Sequence, residues 1–566
     1  MLRHQRELPR LPVPTLAETC SLYLALAHPL LDRRAFATTQ GAVAEFVEPG
    51  GAGEQLQERL LEWSRSSAPD NWLEPFWDDW YLCDDTPIPV NVSPGFALTG
   101  GHALQVERAA RLLGAALRVK ALVDAEDLAP DLDGGAPRCM REYERLFSAT
   151  RIPGAVRDEP RAYPDSRHVV VLHAGHFFAL DVLDAAGRTR SLASLERAMR
   201  RIVDDPAATD PSLGVLTTGG RRSWAGIRER HLVRSELVDA VERAILVLVL
   251  DDGSPSGLRT DESARLFLHG DGRTRWFDKS IQLVVAANGV AGFCMEHSGF
   301  DGSTAVRLAE LLVEHEAEST GGGSAAEFDP TLLSYDSTEP LRDAIATAQG
   351  DVDGLLGRTD LVVSDAQGMG KRAIVRHGVS PDAFVQMAFQ LAFFTLTGET
   401  ASTYESVDTK RFLNGRTEAM RSVSDESVAF VRAARGRRRS THAALLLRAA
   451  IDRHVERLAR CKEGRGVDRH LLGLHRMVGP DEEVPAIFTD PGYRTLTRSV
   501  ISTSALPSSP GVALTCFGPV VDEGFGLSYT VHDDTTVCVV TNFHGLAGPF
   551  AEELLRSLEE LDALLA

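Results

Sequence analysis

The stretch Glu296-His297-Ser298-Gly299-Phe300-Asp301-Gly302 is well placed to move a proton. An imidazole titrates near pH 6.5, so a histidine can take up a proton near neutrality and return it. His297 falls just past an expected strand and before an expected helix. Asp301, four residues on, could orient it or hold a nearby arginine. H-x-x-x-D-G is a short pattern, and a His and an Asp capping a helix would read the same way. Ser502-Thr503-Ser504 sets hydroxyls along a strand, where they are ladder decoration or donors to a developing oxyanion. Tyr404, Thr417 and Arg469 are far apart in sequence, and each alone reads as structural. Together, a guanidinium fork and two hydroxyls could hold a carboxylate.

Gly368-Met369-Gly370-Lys371 fails as a phosphate loop. Asp365 stands where the first glycine is needed, and Arg372 follows the lysine where Ser or Thr is needed. Lys371, Arg372 and Arg376 are then a solvated basic face, or a hold on phosphate groups through charge-assisted hydrogen bonds. The run from Arg432 to Arg439 is the most basic in the chain and reads as a solvated helix face.

The elements that must position these groups alternate. Thr15 can cap a helix from Leu16, with Leu22, Leu24, Leu26, Leu30 and Leu31 as its apolar face; a second helix is expected from Ala52 to Ser66 and a third from about Ala103 to Leu122. Strands are expected at Val169–Leu172, Phe177–Leu183 and Ile245–Leu250, with a helix near Leu192–Asp204. Ile281, Leu283 and Val285 alternate at period two, Asn288-Gly289 is a hairpin signal, and Val290 to Glu296 returns. A helix opens at Asp301-Gly302-Ser303, and Gly321-Gly322-Gly323-Ser324 marks a junction. Ser380 caps a helix with Pro381 in its first turn, apolar on most faces and therefore buried. The last quarter reads as strands Thr495–Ser504, Val512–Phe517, Gly526–His532 and Val537–Phe543, then a helix Phe550–Leu565. Strands interleaved with helices, with both hairpins and long crossovers, predict an α/β fold with mixed sheets.

Composition narrows the class. The 566 residues carry 60 Lys and Arg against 80 Asp and Glu, a net charge of −20. That speaks against broad nucleic-acid binding, which needs a basic face. The longest apolar run, Ala244 to Leu250, is far short of the roughly 20 residues of a membrane span. Seven scattered cysteines without a C-x-x-C pair fit reduced thiols, not a disulfide framework or a zinc site. The first fourteen residues lack the apolar stretch of a secretory signal, so the cytoplasm is the expected compartment. Lysine occurs only at 120, 279, 371, 410 and 462, a genomic bias that makes each surviving lysine worth inspecting.

In order along the chain, Arg275-Trp276-Phe277-Asp278-Lys279-Ser280, the Glu296-His297-Ser298 segment, Ser380-Pro381-Asp382-Ala383-Phe384, Thr403-Tyr404-Glu405-Ser406, Gly415-Arg416-Thr417-Glu418, Asp468-Arg469-His470-Leu471-Leu472-Gly473-Leu474, Ser502-Thr503-Ser504 and Phe517-Gly518-Pro519-Val520-Val521 resemble the choline/carnitine acyltransferase family. The resemblance implies two chloramphenicol-acetyltransferase-like α/β domains with mixed sheets and an active-site tunnel between them. Residues 70–337 would form the first and 1–69 plus 338–566 the second. It implies His297 as general base, Asp301 as its acidic companion and Ser504 as oxyanion support. Tyr404, Thr417, Arg469 and Ser502 would hold carnitine, and Lys371, Arg376 and Asp382 would line the path of coenzyme A. Thr515 falls where acetyl-specific members carry methionine and long-chain members glycine, which implies short to medium acyl chains. Val375 stands where the family often has a second lysine, and Arg376 follows it.

The implied enzyme is a carnitine O-acyltransferase, a monomer with acyl-coenzyme A as co-substrate and no permanently bound cofactor or metal. A choline or other amino-alcohol acyltransferase and a non-catalytic acyl-coenzyme A-binding protein are the alternatives.

Overall fold

Two large mixed sheets flanked by helices organise the computed structural model, which describes the chain except residues 67–69, 102–103, 206–211, 319–322, 327 and 437–440. The α/β architecture is the one expected. Parts of three sequence expectations, Ala103, Gly321-Gly322 and 437–439 of the basic run, lie outside the described residues.

The first sheet, among the described residues, has eight strands in the order Thr331–Leu333, His176–Asp181, His168–His173, Val247–Asp251, Ile281–Ala286, Ala291–Met295, Gly95–Leu98 and Val512–Cys516. Its middle strands, Val247–Asp251 and Ile281–Ala286, are buried almost throughout and pair in parallel. This is the near-continuous apolar run of a sheet covered on both faces. The hairpin after Ile281–Ala286 turns through Ala287, Asn288 and Gly289. Gly289 takes φ +81°, and the Ala286 N–H donates to the Val290 carbonyl at 2.8 Å. Glycine there meets a left-handed requirement that a Cβ would oppose.

The second sheet runs Asp360–Gln367, Thr535–Asn542, Phe525–Val531, Ile501–Ala505, Thr403–Asp408 and Thr417–Arg421. Helices Pro381–Thr397 and Ala547–Leu565 cover it. The Ser380 hydroxyl accepts from the Ala383 N–H, Pro381 opens the helix, and Gly398 at φ +75° ends it. Every residue from Ala383 to Phe393 is buried. Its two glutamines find strand hydroxyls: Gln386 Nε2 donates to Thr503 at 2.8 Å and Gln390 Nε2 to Thr403 at 3.0 Å. An amide left unpaired there would cost about 1–3 kcal/mol.

Three details differ from expectation. Helix Leu16–Ala27 buries Thr19, Cys20, Tyr23, Leu26 and Ala27, while Leu22 and Leu24 are half-buried. The reason is a polar anchor, since the Tyr23 hydroxyl donates to Asp490 at 2.8 Å and turns that face inward. Residues 495–497, read as strand, end the helix Pro491–Thr497, whose cap is the Asp490 side chain. Strand Val512–Cys516 leaves its sequence neighbours. It pairs antiparallel with Gly95–Leu98, with a register shift between Ala97 and Leu98.

Among the described residues no helix is long and apolar enough to cross a membrane. The cysteines are free, and all but Cys83 are buried.

Candidate active site

His297 follows strand Ala291–Met295, and helix Gly302–Glu318 begins five residues later. Its backbone N–H donates to the Val92 carbonyl at 3.3 Å. Nδ1 lies 2.9 Å from the Phe300 carbonyl oxygen. A carbonyl only accepts, so this contact places the proton on Nδ1 and leaves the Nε2 lone pair free. The Tyr81 ring tilts against the imidazole at 5.4 Å between centroids. The side chain keeps about a quarter of its surface open to a cavity of about 380 Å³.

Asp301 Oδ1 is 3.7 Å from His297 Nδ1. Its carboxylate is gripped by Arg416, at 2.8 Å from Nε and 3.2 Å from Nη2. The same guanidinium donates to the Ser298 carbonyl at 3.0 Å and the His297 carbonyl at 3.3 Å, so it fixes the loop as well as the acid. Lys410 approaches from behind. Its ammonium pairs with Glu142 at 2.7 Å, and Glu142 accepts from the Asp301 N–H at 3.1 Å and the Thr304 hydroxyl at 2.6 Å. Burial pushes the Asp301 carboxyl up, but Arg416 outweighs it and holds it at about 2. Two buried anions and two buried cations thus close on each other.

The second sheet supplies the opposite wall. Tyr404 and Ser502 are register partners on parallel strands, and Ser504 pairs with Ser528 on the next strand. Side chains alternate along a strand, so Ser502 and Ser504 share the cavity face, while Thr503 turns to Gln386. Thr417 starts strand Thr417–Arg421, and Arg469 lies in the first turn of helix Asp468–Arg476.

Arg469 is fixed from three sides. Nε donates to the Thr417 carbonyl at 3.1 Å, Nη2 reaches the Tyr404 hydroxyl at 3.5 Å, and the guanidinium stacks on Trp77 at 3.7 Å. Its neighbour Asp468 forms its ion pair with Arg421 instead. The nearby Glu418 accepts from the backbone N–H of Arg469. Burial pushes the Glu418 carboxyl up to about 7, against the pull of Arg469. Among the described residues Arg469 Nη1 has no hydrogen-bond partner and the guanidinium no ion pair.

His297, Asp301, Tyr404, Thr417, Arg469, Ser502, Ser504 and Thr515 line this one cavity. Lys371, Arg376 and Asp382 do not. Lys371 and Arg376 are exposed at helix Lys371–Val375 and its end. Arg372, grouped with them on sequence, is already held by Asp534 at 2.9 Å and Asp533 at 3.2 Å. Asp382 is turned inward, accepting from the Tyr529 hydroxyl at 2.6 Å and lying 3.3 Å from His454 Nε2. Glu405 lies equally close to His454. Burial pushes the Glu405 carboxyl up to about 7; it also opposes charging of His454, but Glu405 and Asp382 outweigh it and raise that imidazole to about 9.

Sequence reading assigned no role to Arg416, Lys410, Glu142, Trp77, Tyr81 or Ser528. Arg416 lies within Gly415-Arg416-Thr417-Glu418 and Lys410 is one of only five lysines, the signals that the sequence carries for them. Lys279, another of the five, is buried and donates to the Glu242 carbonyl at 2.8 Å, a structural position.

A histidine with a free Nε2, facing strand hydroxyls across a cavity, is an arrangement able to take a proton from a hydroxyl or thiol and to donate to a developing oxyanion. A sequence profile described as Choline/Carnitine o-acyltransferase matches residues 11–560, and the chain belongs to that family. It is 33% identical to the choline O-acetyltransferase of Sus scrofa, over 98% of this chain and 91% of that one. It is also 33% identical to the carnitine O-acetyltransferase of Columba livia, over 98% and 92%, and 31% identical to the carnitine O-acetyltransferase of Homo sapiens, over 99% and 94%.

Proposed function

We propose that this protein moves an acyl group reversibly between coenzyme A and the hydroxyl of carnitine, in a ternary complex without a covalent acyl-enzyme. The observation that carries the choice of carnitine is Arg469. A buried guanidinium with no carboxylate in an ion pair with it among the described residues is costly unless a substrate supplies the anion. Carnitine does so, with Tyr404, Thr417 and Ser502 completing the pocket. Choline has no carboxylate.

In the forward direction His297 Nε2 takes the proton from the carnitine hydroxyl as its oxygen attacks the thioester carbonyl carbon. The C–O bond forms, and the Ser504 hydroxyl donates to the tetrahedral oxyanion. The C–S bond then breaks and Nε2 returns the proton to the departing thiolate. Asp301, kept anionic by Arg416, faces Nδ1 and favours the transient imidazolium. Lys371 and Arg376 are the exposed cations for the phosphates of coenzyme A, with Asp382 further along its path. In this reading residues 70–337 form one acyltransferase-like unit and 1–69 with 338–566 the other.

A second reading, an acyltransferase for choline or another amino alcohol, is favoured by the equal identity to relatives named for choline. Thiol release from acetyl-coenzyme A with carnitine or choline separates the two. Carnitine-dependent release is expected, and His297→Ala should lower it by roughly 10²- to 10⁴-fold. Turnover unchanged in that variant refutes the mechanism, and turnover with choline alone refutes the acceptor.

A further inference from the structure

Beside Ser504, on the next strand, Ser528 faces the same cavity. Its Oγ is in contact with Oγ1 of Thr515, which arrives from the other sheet on strand Val512–Cys516. Thr515 is opposite Phe96 across the strand pair, so Phe96 lies on the same face. Both hydroxyls are buried, at 5% and 2% exposure.

Two hydroxyls carry two protons and four lone pairs. Their mutual contact uses one proton and one lone pair. Among the described residues neither oxygen has another side-chain or backbone partner. One O–H and several lone pairs therefore face the cavity unmet. An alkyl chain packed there would seal them from water without replacing the lost hydrogen bond.

Resting on the acyl-transfer reading above, we infer that the acyl group is short and carries a hydroxyl at its third carbon, bound by the Thr515–Ser528 pair. The spacing fits. If Ser504 meets the carbonyl oxygen at C1, Ser528 stands one strand spacing away, ~4.8 Å, the reach of a substituent two carbons along the chain. Such a hydroxyl accepts the free proton and donates to a free lone pair, completing both protein groups. Phe96 offers the apolar wall for the remaining carbons. An anionic acyl group fits less well, because no cation contacts Thr515 or Ser528 among the described residues.

The test compares kcat/KM for butyryl-coenzyme A with that for each enantiomer of 3-hydroxybutyryl-coenzyme A, at saturating carnitine, by thiol release. The chains have the same length, so size cancels. One enantiomer should exceed butyryl by at least about tenfold, since a site built to bond a hydroxyl discriminates against the analogue lacking it. The double variant Thr515→Val, Ser528→Ala should lose or invert this ratio, which does not depend on the fraction of folded enzyme. Equal or better use of butyryl by the wild type overturns the inference and leaves acyl transfer standing. A preference that survives in the variant overturns the assignment to these two residues. Absence of thiol release from acetyl-, butyryl- and 3-hydroxybutyryl-coenzyme A with carnitine and with choline overturns the acyl-transfer reading, and the inference with it.

Discussion

Replacing Arg469 by asparagine tests the acceptor assignment most directly. The side chain is wedged between the Thr417 carbonyl, the Tyr404 hydroxyl and the Trp77 ring, with Nη1 unpartnered among the described residues. A carboxylate at the cavity end of the guanidinium gains one or two charge-assisted hydrogen bonds, at about 1.5–3 kcal/mol each. Allowing for partial solvation, about 2–4 kcal/mol of carnitine binding should be lost, or roughly 30- to 900-fold in KM at one decade per 1.36 kcal/mol. Since the carboxylate is remote from the reacting hydroxyl, the loss should fall on KM more than on kcat. Choline lacks the anion and carries the same charge sign as the arginine, so its use should be unchanged or improved. The assay is thiol release at saturating acetyl-coenzyme A with each acceptor titrated in turn, with Tm measured in parallel. A rise in carnitine KM below about threefold refutes the reasoning. An equal loss for both acceptors refutes it too, since that is the signature of a collapsed pocket.

Asp301→Asn should take from Arg416 its closest carboxylate, leaving Glu142 at 3.3 Å and Asp78 at 3.5 Å, and should cost less than the loss of about 3–5 kcal/mol for a fully orphaned buried charge in a denaturant titration, with a fall in kcat. Because Asp301 is held at about 2, below its ordinary 3.8, the stability it adds is present above about pH 4 and is lost as pH falls towards 2. The variant should therefore show a shallower acid limb in Tm against pH. Lys371→Glu should raise the KM for acetyl-coenzyme A and leave that for carnitine in place, with an effect that shrinks as salt is added; equal KM values for acetyl-coenzyme A at low salt would contradict it. His454, raised to about 9, adds stability that is present below about pH 6.5 and is lost as pH rises through 9, so His454→Gln should flatten Tm over that window.

Local physics made much of the fold legible. Period-two alternation marked Ile281–Ala286, and Asn288-Gly289 marked its turn, because a left-handed residue is needed there. Ser380 and Pro381 marked the start of a helix whose apolar faces left only burial as an outcome. Thr15, by contrast, marked its helix start correctly while the buried face was misjudged. The partner of Tyr23 is Asp490, several hundred residues away, and no periodicity reports such a partner.

By itself the sequence determined most element types, the net negative charge and the candidate chemistry of His297, Arg469 and the strand hydroxyls. Those depend on residue type and short spacing. Tertiary structure decided which of them meet. It brought His297 and Arg469 to one cavity and left Lys371 and Arg376 on the surface. It moved Val512–Cys516 into the other sheet, which sets Thr515 against Ser528. It also spent the charges: Arg416 on Asp301, Arg372 on Asp533 and Asp534, Asp468 on Arg421. A charge is available to a substrate only when folding leaves it without a partner. Pairing at hydrogen-bond range is set by register and packing between segments hundreds of residues apart, so the −20 total carried no information about Arg469.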